Sequence, residues 1–125
     1  MIINLKTSEI LQDGKISNTN LTCKLDTSLF AHLKWEQHFQ SILKVDLTTY
    51  ASKVINQDLT AEGFKANFLG ILKIIYCFID TTDLPTFISF VKLFNLSDTE
   101  ALTYNLESIS EAFSNIKSTV ISPKK

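Results

Sequence analysis

The only two histidines of the chain, His32 and His38, flank Glu36. His32 and Glu36 stand one helical turn apart, where two side chains could grip a metal ion. The imidazoles are six residues apart, however, not the four that bring two of them to one helical face, so the set offers two ligands and reads as a solvated helix flank. Asp80 and Asp83 could serve as a general acid and base. The simpler assignment is that Asp80 ends one helix and Asp83 caps the next. Cys23 and Cys77 read as small buried hydrophobes rather than a disulfide or a metal pair. Glycine occurs only at positions 14, 63 and 70, which leaves no glycine-rich phosphate loop and no G-x-S-x-G elbow. The sequence predicts no enzyme, no metal site and no cofactor.

Charge narrows the field further. Twelve lysines and no arginine face thirteen acids, for a formal net charge of −1. Bidentate readout of phosphate or guanine has no arginine to perform it, and no bulk positive charge draws nucleic acid or anionic lipid. A helix-turn-helix over residues 46–79 would need a recognition helix, yet the second helix there is apolar and offers only Lys65 and Lys73. The longest apolar run, Phe68 to Ile79, is interrupted by Lys73 and falls short of the roughly 20 residues that span a bilayer. The start of the chain has no export signal, so the expectation is a soluble intracellular protein without nucleic-acid or membrane partners.

These residues must be carried by a small, mainly α (α+β) domain of 125 residues and 45% hydrophobic content. Residues 1–25 read as an antiparallel β unit. Asp13-Gly14 suggests a two-residue type I′ turn, Asn18-Thr19-Asn20 a bend or bulge, and Leu21, Cys23 and Leu25 alternate with polar residues. Residues 26–117 read as a core of about five helices. Asp26, Thr27 or Ser28 caps the first, whose apolar face is Leu29, Phe30, Leu33, Phe39, Ile42 and Leu43. Asp46 caps the second. The third runs unbroken from about Thr60 to Ile79 and is apolar nearly all round, so it lies at the centre of the core or touches something besides it. Leu84-Pro85 opens the fourth, and Ser97 to Glu100 forms a capping box for the fifth. Residues 118–125 read as a frayed tail.

Aromatic residues make up 10% of the chain, nine of them phenylalanine. Most must fill the core. Tyr76, Phe87, Phe90 and Phe94 on the third and fourth helices, with Trp35 and Tyr50 off the tidy stripes of theirs, are the residues expected to wall an exposed apolar groove for a partner. The same excess of apolar faces suggests self-association into open oligomers.

In the order and texture of its elements the chain resembles the tail assembly chaperones of long-tailed phages of low-GC Gram-positive bacteria, lactococcal siphophages in particular. The resemblance rests on Lys24-Leu25-Asp26-Thr27-Ser28-Leu29-Phe30 entering a helix, on Leu72-Lys73-Ile74-Ile75-Tyr76-Cys77-Phe78, and on Leu84-Pro85-Thr86-Phe87-Ile88-Ser89-Phe90 after an acidic break. It implies a late, non-virion protein of the host bacterial cytoplasm that coats the hydrophobic helical repeats of the tape measure protein and keeps it soluble during tail assembly. It implies no catalytic residues. A small apolar-ligand carrier, or a phage regulator acting by protein contact, would draw on the same aromatics. If no ion or nucleotide takes part, chelator and added nucleotide leave the melting temperature unchanged; a zinc-dependent rise would lead back to His32, Glu36 and His38.

Overall fold

A helix whose every side is apolar can be satisfied only at the middle of a core, and α5 (Phe68–Phe78) lies there. Ile71, Leu72, Ile74, Ile75, Tyr76, Cys77 and Phe78 along it are all buried. The structure, a computed structural model, describes residues 1–57, 60–80 and 86–121. It is mainly helical, with an antiparallel hairpin of β1 (Ile2–Ile10) and β2 (Ile16–Lys24) at its start. Helices α1 (Leu29–Trp35), α2 (Ser41–Leu43), α3 (Leu47–Ile55) and α4 (Ala61–Ala66) precede α5, and α6 (Phe87–Val91) and α7 (Thr99–Ile116) follow it.

The hairpin forms as expected, but its turn is of another kind. Leu11 N–H donates to Lys15 C=O, Gly14 N–H donates to Leu11 C=O, and Gly14 alone in the loop has positive φ (83°). That is a three-residue loop ending in a left-handed glycine, not a type I′ turn at Asp13-Gly14. Asp13 instead accepts from Lys15 N–H. The strands pair one to one from Ile2↔Lys24 to Ile10↔Ile16, so Asn18-Thr19-Asn20 makes no bulge.

Ser28 caps α1, but of the apolar face that the spacing marks only Phe39 and Leu43 pack on the core. Ala31, Lys34, Trp35 and Phe39 point inward, whereas Leu29 (81% exposed), Ile42 (77%), Phe30 and Leu33 face out. Residues Glu36–Gln40 wind as a π-helix, which rotates the later side chains away from a simple 3.6-residue stripe. Lys44, at φ 59°, ends α2, and Asp46 caps α3 by accepting from Thr49 N–H and Oγ1. The expected continuous third helix is interrupted at Asn67, whose N–H and side-chain amide both donate to Gly63 C=O. Leu84-Pro85 and Asp83 lie outside the described residues; within them, Thr86 caps α6.

Two devices hold the ends of these elements. Lys34, buried on α1, donates from Nζ to Tyr76 C=O (3.0 Å), in the last turn of α5, and to Ile79 C=O (2.6 Å), just past its end. Next to it, Leu25 and Ile79 form a β-bridge, with Asp26 N–H on Phe78 C=O and Asp80 N–H on Lys24 C=O, so strand β2 is stitched to the end of α5. At the other side, Asp98 caps α7 through Ala101 N–H, and the capping box on Ser97 does not form. Asp98 is buried and also accepts from Ser8 Oγ and Asn18 Nδ2, both at 2.7 Å. Asn105 of α7 accepts from Lys6 N–H and donates to Lys6 C=O, so its side-chain amide acts as a neighbouring strand for β1. The tail expected to fray from residue 118 continues α7 as a π-helix, Lys117–Ile121, that packs Val120 and Ile121 on the core; residues 122–125 lie outside the described residues.

The hydrogen bonds from Ser8 and Asn18 hold the Asp98 carboxyl below the ordinary carboxylate value. Its stabilisation is therefore present above the unfolded-state value and is lost as pH falls through the folded-state one. Replacing Asp98 with Ala, which removes a cap and two further bonds to a charged acceptor, is expected to cost about 2–3 kcal/mol at neutral pH in urea denaturation. The same change should flatten the decline of stability with falling pH.

Candidate functional site

The six aromatics expected at a groove do meet, but as a spine through the protein. Ring centroids run Tyr50–Trp35 at 4.9 Å, Trp35–Phe39 at 5.1 Å, Phe39–Phe87 at 4.9 Å and Phe87–Tyr76 at 5.5 Å. They continue Tyr76–Phe90 at 5.8 Å and Phe90–Phe94 at 5.1 Å, and from Phe94 reach Phe68 and Phe64. Most of the pairs are edge-to-face or tilted, the arrangements favoured by the ring quadrupole. Trp35, Tyr76 and Phe90 are 0–1% exposed, so these three are core and not groove walls. The reason is the apolar surround of α5: a ring on its flank is covered by α1 and α6 before any partner can reach it. Trp35 also donates from Nε1 to Val45 C=O, which fixes the loop ahead of α3. Phe87, Phe94 and Tyr50 are half-buried.

The spine reaches the surface at Tyr50. There, α3 and the segment after α2 stand off from the α4–α5 corner and leave an open cleft of about 670 Å³. Leu43, Val45, Tyr50 and Val54 form one wall; Ala66, Leu69 and Gly70 form the other. Among the described residues, Lys53 and Lys73 are its only charged lining residues, with Thr49, Gln57 and Asn67 as polar company. Leu69, 53% exposed, stands with its apolar side chain in water. The floor depends on Gly70, because a Cβ there would lie 2.6 Å from the Tyr50 hydroxyl. Burial raises the Tyr50 pKa above the ordinary tyrosine value, so the ring stays neutral at physiological pH. Sequence reasoning singled out Tyr50 but missed Leu43, Val45, Val54, Leu69 and Gly70. A lone glycine inside an apolar helical run, which marks a close approach, was the available signal.

A second exposed apolar surface is the ridge of Leu29, Phe30 and Leu33 on α1. Phe30 covers the Lys34 ammonium, 5.1 Å from its ring centroid.

The two histidines pack against other side chains, and His32 Nδ1 is buried with no hydrogen-bond partner among the described residues. His32 Nε2 lies 3.4 Å from Thr48 Oγ1, and His38 stands edge-on to Tyr76 at 5.6 Å. Among the described residues, no cluster of three or more His, Cys, Asp or Glu could hold a metal ion. Cys23 and Cys77 are buried free thiols. Burial pushes the Cys77 thiol up to about 12, which keeps it protonated and a poor nucleophile. No helix among the described residues is long and apolar enough to cross a membrane. Compared with protein-family models, curated proteins and solved structures, the chain matches none.

Spine and cleft make different demands. Truncating Trp35, Tyr76 or Phe90 to Ala should cost about 3–5 kcal/mol in chemical denaturation, as for a fully buried aromatic. Replacing Gly70 with Ala gains helix propensity of about 1 kcal/mol and pushes on the Tyr50 ring, so global stability should change little while the cleft is reshaped. Binding of a dye that senses apolar surface should fall in the Gly70 variant.

Proposed function

We propose that this protein is a non-catalytic chaperone that binds apolar helical segments of another protein in the cleft between α3 and the α4–α5 corner. The observation that carries the reading is the cleft itself: an apolar trough, walled by Tyr50, Val54 and Leu69, with Lys53 and Lys73 as the charged lining among the described residues. A helix laid in such a trough presents anchors at i, i+3, i+4 and i+7. The two lysines favour acidic residues beside those anchors. The resemblance to phage tail assembly chaperones supplies the client, the hydrophobic repeats of the tape measure protein. On that reading the protein works in the host cytoplasm and leaves before the virion is complete. Weak contact at each repeat suits a client that must be released to the tail tube, because many copies along the array supply hold through avidity.

A second reading has one observation in its favour: about 670 Å³ lies within the range of small-molecule sites. A carrier of a small apolar ligand would use the same walls.

Co-expression with the tape measure protein of the same phage tests the first reading. The client should become soluble and co-purify, and Tyr50→Ala with Leu69→Ser should abolish this while leaving the chaperone folded. A tape measure protein that stays insoluble beside well-expressed chaperone overturns it. Displacement of a bound dye by fatty acid, at concentrations too low to form micelles, would favour the carrier.

A further inference from the structure

The hairpin has two edges; the described residues pair the outer side of β1 at Lys6 and Ser8, and that of β2 only at its Lys24 end. In an antiparallel pair, residues directly opposite each other either exchange both main-chain hydrogen bonds or turn both away. Lys6 gives its N–H and C=O to Asn105, and Ser8 N–H goes to Leu93 C=O, so the even-numbered residues of β1 face away from β2. By the one-to-one register the even-numbered residues of β2 face away from β1. Lys24 bears this out, since its C=O accepts from Asp80 N–H on the outer side. That leaves the outward N–H and C=O groups of Ile16, Asn18, Asn20 and Thr22, for which no partner occurs among the described residues.

Protein edges of this length are ordinarily blunted by charge, proline or a bulge. Ile16 to Cys23 has no charged residue, no proline and no bulge, and the side chains of residues 16–20 are all exposed. The four free positions are also symmetric about Thr19. We propose that β2 pairs with β2 of a second copy of this chain, antiparallel across a two-fold axis at Thr19, to make a continuous four-stranded sheet. Asn18 then lies opposite Asn20 of the second copy and Ile16 opposite its Thr22, which completes about eight main-chain hydrogen bonds. Thr19 meets its own counterpart as a non-hydrogen-bonded pair with Cα atoms about 4.5 Å apart. No like charges face each other across the seam, and Thr–Thr and Asn–Asn neighbours can hydrogen-bond along it. The contact closes on itself, so alone it gives dimers; an open array would need a further contact. The inference concerns the sheet and does not rest on the client proposed for the cleft.

The Thr19 axis makes the test specific. Wild-type protein, followed by light scattering after size exclusion over roughly a hundredfold range of concentration, should pass from monomer to dimer. Thr19→Lys and Thr19→Glu each place like charges at the axis and should remain monomeric, with the melting temperature of the dilute, monomeric wild type, and mixing the two should restore a dimer. Amide hydrogen exchange on the wild type is independent of any variant's folding: the amides of Ile16, Asn18, Asn20 and Thr22 should slow as concentration rises. A wild type that stays monomeric throughout overturns the proposal, even if an extended peptide adds to the edge. So does a dimer that Thr19→Lys leaves intact, or one whose formation does not slow those four amides.

Discussion

A single buried ammonium secures the end of the helix around which everything else packs. A carbonyl at a helix end that is turned into a dry interior costs as much as a lost hydrogen bond unless something donates to it. Lys34 reaches the carbonyls of Tyr76 and Ile79 from α1, its ammonium lying over the rings of Phe30 and Tyr76, and puts a positive charge where the helix dipole is negative. Burial presses its pKa below the ordinary lysine value, while the Asp26 and Asp80 carboxylates nearby favour the charged form. A buried cation gains little when weighed against an apolar substitute, but once present it must keep its partners. The orientation of α1 and the end of α5 are thereby tied to each other. The bridge from Leu25 to Ile79 brings the hairpin into the same junction.

From that junction the aromatic spine follows. With α5 fixed at the centre, Trp35 and Phe39 from the α1 side and Phe87 and Phe90 from α6 close over Tyr76. The rings that looked like surplus for a partner are consumed by the core. What is left for contact lies at the margins: the mouth beside Tyr50, and the outward face of α1. The protein thus separates a rigid interior from an apolar surface, an arrangement suited to holding a partner segment without chemistry.

The hairpin buries Ile3, Leu5 and Cys23 in the core, and buried polar side chains add to its attachment. Asn105 stands in for a strand beside β1, and Asp98 gathers Ser8, Asn18 and the first turn of α7. Both side chains are buried, so each bond is made in a medium where leaving it unmade is costly. Such bonds set register more sharply than contact between methyl groups would. They close the outer edge of β1, on the side away from β2.

The sequence alone determined the elements whose signals are local. The alternation of Leu21, Cys23 and Leu25 marks a strand, Ser28 and Asp46 sit where helices need caps, and the apolar run around Ile71–Phe78, interrupted only by Lys73, marks a central helix. Each rests on neighbours a few residues apart, which is all that periodicity can see. Only the tertiary structure decided which face of α1 is buried. Lys34 and Trp35 turn inward because their partners, the carbonyls of Tyr76, Ile79 and Val45, come from distant segments, and Leu29 and Leu33 are left outside although hydrophobicity favours them. It likewise decided that Asp98 rather than Ser97 caps α7, since Ser8 and Asn18 lie some 80–90 residues away in the chain. The cleft was hidden for the same reason: Gly70 and Tyr50 belong to different helices, and their close approach exists only after the core has set the two helices side by side.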